Sequence, residues 1–180
     1  MAAPAQTSLL ELFIARATEA AAKVDRVRRS GVELRNAVAR ATEGARSLVI
    51  ADGEFLSAEF FTVLRSLPGV IAKPTDDQLA TTDAGVTEAF AGVARTGSIC
   101  IAMGPPLRAT SSLLMPLHVA LLPAERIVSR PRELFALDGI GAEALGRNLV
   151  FVTGPSATAD MGPLVRGVHG PHRLHILVVE

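Results

Sequence analysis

Ser47-Leu48-Val49-Ile50-Ala51-Asp52 is a short, β-branched run that is apolar at both odd and even positions. A strand with one wet face alternates, whereas one buried on both faces reads as continuously apolar. Ser98–Met103 (SICIAM), Leu117–Leu122, Leu149–Thr153 (LVFVT) and Leu174–Val179 (LHILVV) have the same character, and Val70–Ala72 is a shorter candidate. Helical spacing falls between these runs. It predicts helices at Ser57–Leu67, with Phe60, Phe61 and Leu64 inward, at Asp83–Arg95, with Val86, Phe90 and Val93 on one face, and at Pro131–Leu137. Doubly buried strands alternating with helices predict an α/β fold with three α/β/α layers around a mostly parallel sheet.

Before the first strand, Leu9, Phe13, Ala17, Ala20, Val24 and Val27 form a stripe at spacings of three and four, predicting an amphipathic helix over 8–29. Thr7 or Ser8 is its candidate cap, with Glu11 completing a capping box after Ser8. A second helix is expected from Leu34 to Ala41, stopping at Gly44. The chain is therefore expected to be one domain over 1–180, with a helical segment over 1–45 and an α/β core over 46–180.

Composition narrows function by exclusion. Eighteen basic and 18 acidic residues cancel in a chain of 180, so there is no basic surplus for general nucleic-acid binding. Hydrophobic residues make up 49% and the mean hydropathy is +0.35, enough for a large core. The most apolar stretch, Leu113–Ala124, is interrupted by Pro116 and His118 and is too short to span a bilayer. The N-terminus lacks the basic and apolar regions of a signal peptide, so a cytoplasmic, soluble protein is expected. Cys100 is the lone cysteine. It excludes an intrachain disulfide and a cluster held by this chain alone, because such clusters usually take about four thiolates. HExxH, CxxC, GxGxxG and GxSxG patterns are absent, so no metal site, classical dinucleotide fold or α/β-hydrolase is indicated.

Three segments have the composition of a site. Thr96-Gly97-Ser98 precedes SICIAM; Gly97 would close a helix there, or let a ligand approach the backbone between two hydroxyls. Thr153-Gly154-Pro155-Ser156-Ala157-Thr158-Ala159-Asp160 follows LVFVT and offers hydroxyls and backbone N–H groups to an anion, but has no P-loop lysine. Gly167-Val168-His169-Gly170-Pro171 holds His169 between glycines, as an acid/base group or as part of a turn. Gly104–Ser112 is expected to be a long polar loop carrying Arg108, Ser111 and Ser112. Arg108 and Arg166 are the candidate anion-binding arginines. His118, His175 and Cys100 lie within apolar strand patterns, where core roles are expected.

DAGVTEAFAGVARTGSICI (Asp83–Ile101), SSLLMPLHVALLP (Ser111–Pro123) and VFVTGPSATADMGPLVRGVHGPHRLHILVVE (Val150–Glu180) together resemble the LUD-domain family. This is the lactate utilization protein C, or YkgG-like, family, formerly a domain of unknown function. The terminal TGPS–TAD–GVHGP signature is the most specific part. Where relatives often have an acidic residue before the Thr-Gly turn, this chain has Arg95. Met161 replaces the usual isoleucine. The resemblance implies a fold like that of ribose-5-phosphate isomerase, CoA transferases and formyltetrahydrofolate cyclo-ligase. It implies a role in oxidising L-lactate to pyruvate beside partner subunits that carry iron–sulfur clusters, with none in this chain. The ligand-binding candidates are Thr96, Gly97, Ser98, Thr153, Gly154, Ser156, Thr158, Asp160, Gly170 and Arg108, with His169 the candidate catalytic group. A small anionic metabolite bound by an accessory protein, a stand-alone enzyme or binding protein for a phosphorylated, carboxylated or CoA-linked metabolite, and a purely structural module all fit these residues. The N-terminal helices could dock a partner subunit or a second copy.

Overall fold

The computed structural model describes residues 4–103, 106–137, 148–158, 163 and 165–180. Along the chain the elements are α1 (Pro4–Glu19), β1 (Lys23–Val27), α2 (Gly31–Ala41), β2 (Leu48–Ile50), α3 (Ala58–Leu64) and α4 (Asp76–Thr81). There follow β3 (Ala84–Glu88), β4 (Ala91–Val93), β5 (Ser98–Met103), α5 (Pro106–Leu113), β6 (Leu117–Pro123) and β7 (Ile127–Val128). The last are β8 (Asn148–Val152), β9 (Ala157–Thr158), β10 (Val165–Arg166) and β11 (Arg173–Val179). Short 3-10 turns occupy Ala124–Arg126 and Pro131–Ala136.

The central sheet has five parallel strands in the order β1-β11-β6-β3-β2. Every residue of β6 is buried, as its unbroken apolar sequence requires. Leu117, Val119 and Leu121 face α2 and α3, packing with Leu34, Val38, Phe61 and Leu64. The alternate residues Ala120 and Leu122 face the opposite layer, built from Phe13 and Ala17 of α1 and from Ile99 and Ile101 of β5. The three-layer α/β arrangement is thus as the strand pattern indicated.

Part of that opposite layer is a second sheet that the sequence pattern did not reveal. Its order is β7-β4-β5-β8, with β5 antiparallel to both β4 and β8. Its outer side packs Phe90, Val93, Cys100 and Leu134 into a third cluster.

Several element expectations are corrected. The helix over 8–29 ends at Glu19, and Lys23–Val27 is an edge strand paired with β11. Ala21 takes φ 66°, and the N–H groups of Ala22 and Ala21 donate to the carbonyls of Ala17 (3.0 Å) and Thr18 (2.9 Å). This left-handed closure stops α1 although the apolar spacing runs on. The helix over Asp83–Arg95 is instead β3 and β4. Val86 packs on the α2/α3 side while Phe90 and Val93 join the third cluster, so the three do not share a face. Most of the expected loop Gly104–Ser112 is helix α5, which starts at Pro106, a residue suited to a first helical turn. Val70–Ala72 makes a single bridge, Leu48 to Val70, rather than a strand. Helix α4 is a further element, started by a full capping box between Thr75 and Gln78. Among the described residues no helix is long and apolar enough to cross a membrane.

Candidate functional site

Thr96-Gly97-Ser98 closes the β4–β5 hairpin rather than a helix. Gly97 (φ 65°) donates its N–H to the Val93 carbonyl at 2.9 Å. A Cβ on Gly97 would lie 2.2 Å from the Ala17 nitrogen, and one on Gly154 (φ 74°) would lie 1.9 Å from the Ala20 carbonyl oxygen. Both loops are therefore seated on the end of α1, at a closeness only glycine permits. The pairing of Ile99 with Val152 brings Ser98 and Thr153 together. Ser98 Oγ donates to Thr96 Oγ1 at 2.7 Å and lies 2.7 Å from Thr153 Oγ1. Since Ser98 has one proton, Thr153 donates to it, and the three hydroxyls form a directed chain from one loop to the other.

Ser156 fastens the remaining signature segment. Its N–H donates to the Pro171 carbonyl at 2.9 Å, its carbonyl accepts from Gly167 N–H at 2.9 Å, and its Oγ accepts from His169 N–H at 3.2 Å. Gly170 is half-buried with the Ser156 side chain beside it. The His169 ring is exposed, so its main chain, not its imidazole, is what Ser156 holds. Thr158 is half-buried in β9 and pairs with Val165 of β10. Asp160 lies outside the described residues.

Beyond this loop pair, at the amino ends of β1, β6 and β11, is a cavity of about 330 Å³. Lys23, Arg40, Arg166, His172 and Arg173 line it, and Glu43 is the one carboxylate among its lining residues. His175 borders it with Nε2 2.7 Å from Asp25 Oδ2. Burial pushes the His175 pKa down, and Asp25 opposes that shift. Of these cations, Arg166 alone is among the candidates its sequence context marks. The others come from residues 23, 40, 172 and 173, which only the β1–β11 pairing and the end of α2 bring together. Arg95 lies elsewhere, lining a more open cleft of about 480 Å³ with Thr96, Arg130 and Arg132.

Arg108 sits at the opposite, carboxyl edge of the sheet. It is buried, and its Nη1 donates to Glu54 Oε1 at 3.0 Å and to the Ala102 carbonyl at 3.2 Å, while Nη2 donates to the Asp52 carbonyl at 2.8 Å. Beside it Glu88 is buried at the end of β3 and accepts N–H groups from Glu54, Phe55 and Leu56. Burial raises the Glu88 pKa, against those N–H groups and Arg108. Arg126 lies over the Phe55 and Phe90 rings, 3.6 and 4.6 Å from their centroids. These groups tie the β2–α3 loop to β3, β5 and α5. Ser111 and Ser112 are buried on α5, with Ser112 Oγ donating to the Ala109 carbonyl at 3.0 Å. Among the described residues no three His, Cys, Asp or Glu side chains are grouped to hold a metal.

The family model of the LUD domain matches residues 10–179. Lactate utilization protein C of Deinococcus radiodurans is 31% identical over 157 residues, covering 83% of this chain and 70% of that protein. Lactate utilization protein C of Halalkalibacterium halodurans is 36% identical over 103 residues, covering 54% of this chain and 44% of that protein. The crystal structure of a DUF162 family protein from Deinococcus radiodurans matches with a TM-score of 0.71 over 98% of this chain and 99% of that one. At 24% identity that match shows the fold.

Proposed function

The chain belongs to the LUD-domain family, and on that premise we propose that it is an accessory, non-redox protein of L-lactate utilization that holds a small anion at the amino edge of its sheet. Relatives named lactate utilization protein C support the pathway. The observation that carries the anion is local: the Thr153–Ser156 and Gly167–Pro171 loops are fastened together beside a cavity with four fixed cations and one carboxylate among its lining residues. With one cysteine, buried in β5, the chain would leave electron transfer to partner subunits carrying iron–sulfur clusters. Lactate becomes pyruvate by losing two electrons and two protons, and those electrons would pass to the partners. The protein would work in the cytoplasm.

Deleting the gene tests the pathway. The expected outcome is poor growth on L-lactate as carbon source, normal growth on glucose, and rescue by the intact chain. Normal growth of the deletion strain on lactate would overturn the reading. Copurification with cluster-bearing proteins is the expected second result.

A further inference from the structure

We infer that the amino-edge cavity takes the phosphate group of a small phosphorylated metabolite, and that lactate and pyruvate are not its ligands. This rests on the anion site proposed above and names its ligand class.

The argument begins with charge. Lys23, Arg40, Arg166 and Arg173 each come from a different element (β1, the last turn of α2, β10 and the first residue of β11) and meet around one space. Lys23 has Asp25 within 3.7 Å. Among the described residues, no carboxylate is paired with Arg40, Arg166 or Arg173, and Glu43 is the one acid among the lining residues. Three guanidinium groups converging on a cavity repel one another, and an entering anion relieves that repulsion. Because the chain's net charge is zero, the attraction is a property of this place and not of the whole molecule.

Valence then separates the ligand classes. Lactate and pyruvate each bring one negative charge on a two-oxygen carboxylate, sufficient for one guanidinium fork. A phosphomonoester brings about −1.5 to −2 at neutral pH and three strong acceptor oxygens. That matches several forks arriving from different directions. Ala41, Leu117 and Leu174 supply apolar wall for the remainder of the molecule. The volume, about 330 Å³, is at the low end for ligand sites, which span roughly 300–1,000 Å³. It suits a metabolite of a few carbons rather than a nucleotide or coenzyme A.

The test is calorimetric titration of the full chain with inorganic phosphate, glycerol 3-phosphate and L-lactate at matched ionic strength. Both phosphate compounds are expected to bind, glycerol 3-phosphate more tightly, and lactate to bind at least about tenfold more weakly, the effect of one lost charge-assisted contact. Arg40→Gln and Arg173→Gln should each weaken phosphate binding by about tenfold on the same ground. Both arginines are exposed, so melting temperature should hold. Arg130→Gln, in the other cleft, should leave binding intact. Lactate binding as tightly as glycerol 3-phosphate, no phosphate binding at millimolar concentration, or indifference to both Arg40→Gln and Arg173→Gln would overturn the inference. Each of those results leaves the growth test untouched, and normal growth on lactate leaves a phosphate site standing.

Discussion

The Thr87 hydroxyl lies 2.8 Å from Nε2 of His118, and neither side chain reaches solvent. Burial pushes the His118 pKa down to about 4 from an ordinary 6.5, so the ring is neutral in the folded protein at pH 7. As pH falls through 6.5 the unfolded chain takes up the proton first. The stability contributed by the neutral ring is therefore complete above pH 6.5 and is lost between 6.5 and 4. A gap of about 2.5 units at about 1.4 kcal/mol each amounts to about 3–4 kcal/mol. His175, also lowered by burial, adds to the loss, while Glu88, raised by burial, opposes it. The difference between the native chain and His118→Gln isolates the ring. Urea unfolding at pH 7, 5.5 and 4.5 should show His118→Gln losing less stability than the native chain as pH falls. Parallel losses would remove the assignment.

Gly154→Ala should cost about 2–5 kcal/mol. A left-handed L-residue costs ~1–2 kcal/mol, and overpacking against a neighbour costs a further ~1–3 kcal/mol. Here the neighbour is the Ala20 carbonyl, main chain that cannot swing aside. The urea midpoint measures the loss directly. A change below about 0.5 kcal/mol, the ordinary range of a surface substitution, would mean that the loop is not seated on α1.

The sequence was legible where burial left no choice of side chain. SLVIAD, SICIAM and LHILVV became strands because both faces of each are covered, and an unbroken apolar run is the direct record of that. It was misleading where one pattern served two surfaces. Ala20, Val24 and Val27 continue a helical stripe past Ala21, and the left-handed turn that ends the helix is made by an alanine, which carries no such signal. Val86, Phe90 and Val93 have helical spacing but pack into two different cores. At the site, the density of glycine and proline in TGPS and GVHGP was visible. Their fastening through Ser156 was not, since it depends on main-chain hydrogen bonds. The cavity cations could not be grouped by spacing, because the parallel pairing of β1 with β11, not sequence proximity, brings positions 23 and 173 to one edge of the sheet.

Arg108→Ala should destabilise the fold by about 2–4 kcal/mol. Each hydrogen bond from a charged group is worth ~1.5–3 kcal/mol, discounted here because Glu54 is about a third exposed and can be rehydrated. The Ala102 and Asp52 carbonyls would lose their Arg108 donor. Arg108→Lys should restore only part of the loss, because one ammonium cannot reproduce a fork aimed at three acceptors. Equilibrium unfolding of both variants checks the ranking. Full recovery by lysine would show that charge alone matters.

Cys100 is buried in β5, and burial pushes its thiol pKa up to about 11. At pH 8 its thiolate fraction is then roughly one part in a thousand, and the thiolate is the reactive form. A thiol-specific reagent should leave the native protein unlabelled over an hour and label it fully in urea. Rapid labelling in native buffer would mean that β5 opens readily or that the thiol is reached by solvent.

Ala21→Gly should stabilise the protein. Ala21 sits at φ 66° where α1 closes, the position glycine usually fills. The left-handed conformation costs an L-residue ~1–2 kcal/mol, and glycine's greater freedom in the unfolded chain takes back ~0.5–1 kcal/mol. The net gain is about 0–1.5 kcal/mol, since exposed Ala21 contributes little packing. A higher urea midpoint with an unchanged slope is the expected result. A less stable Ala21→Gly protein would show that the methyl group itself is needed to hold α1 against β1.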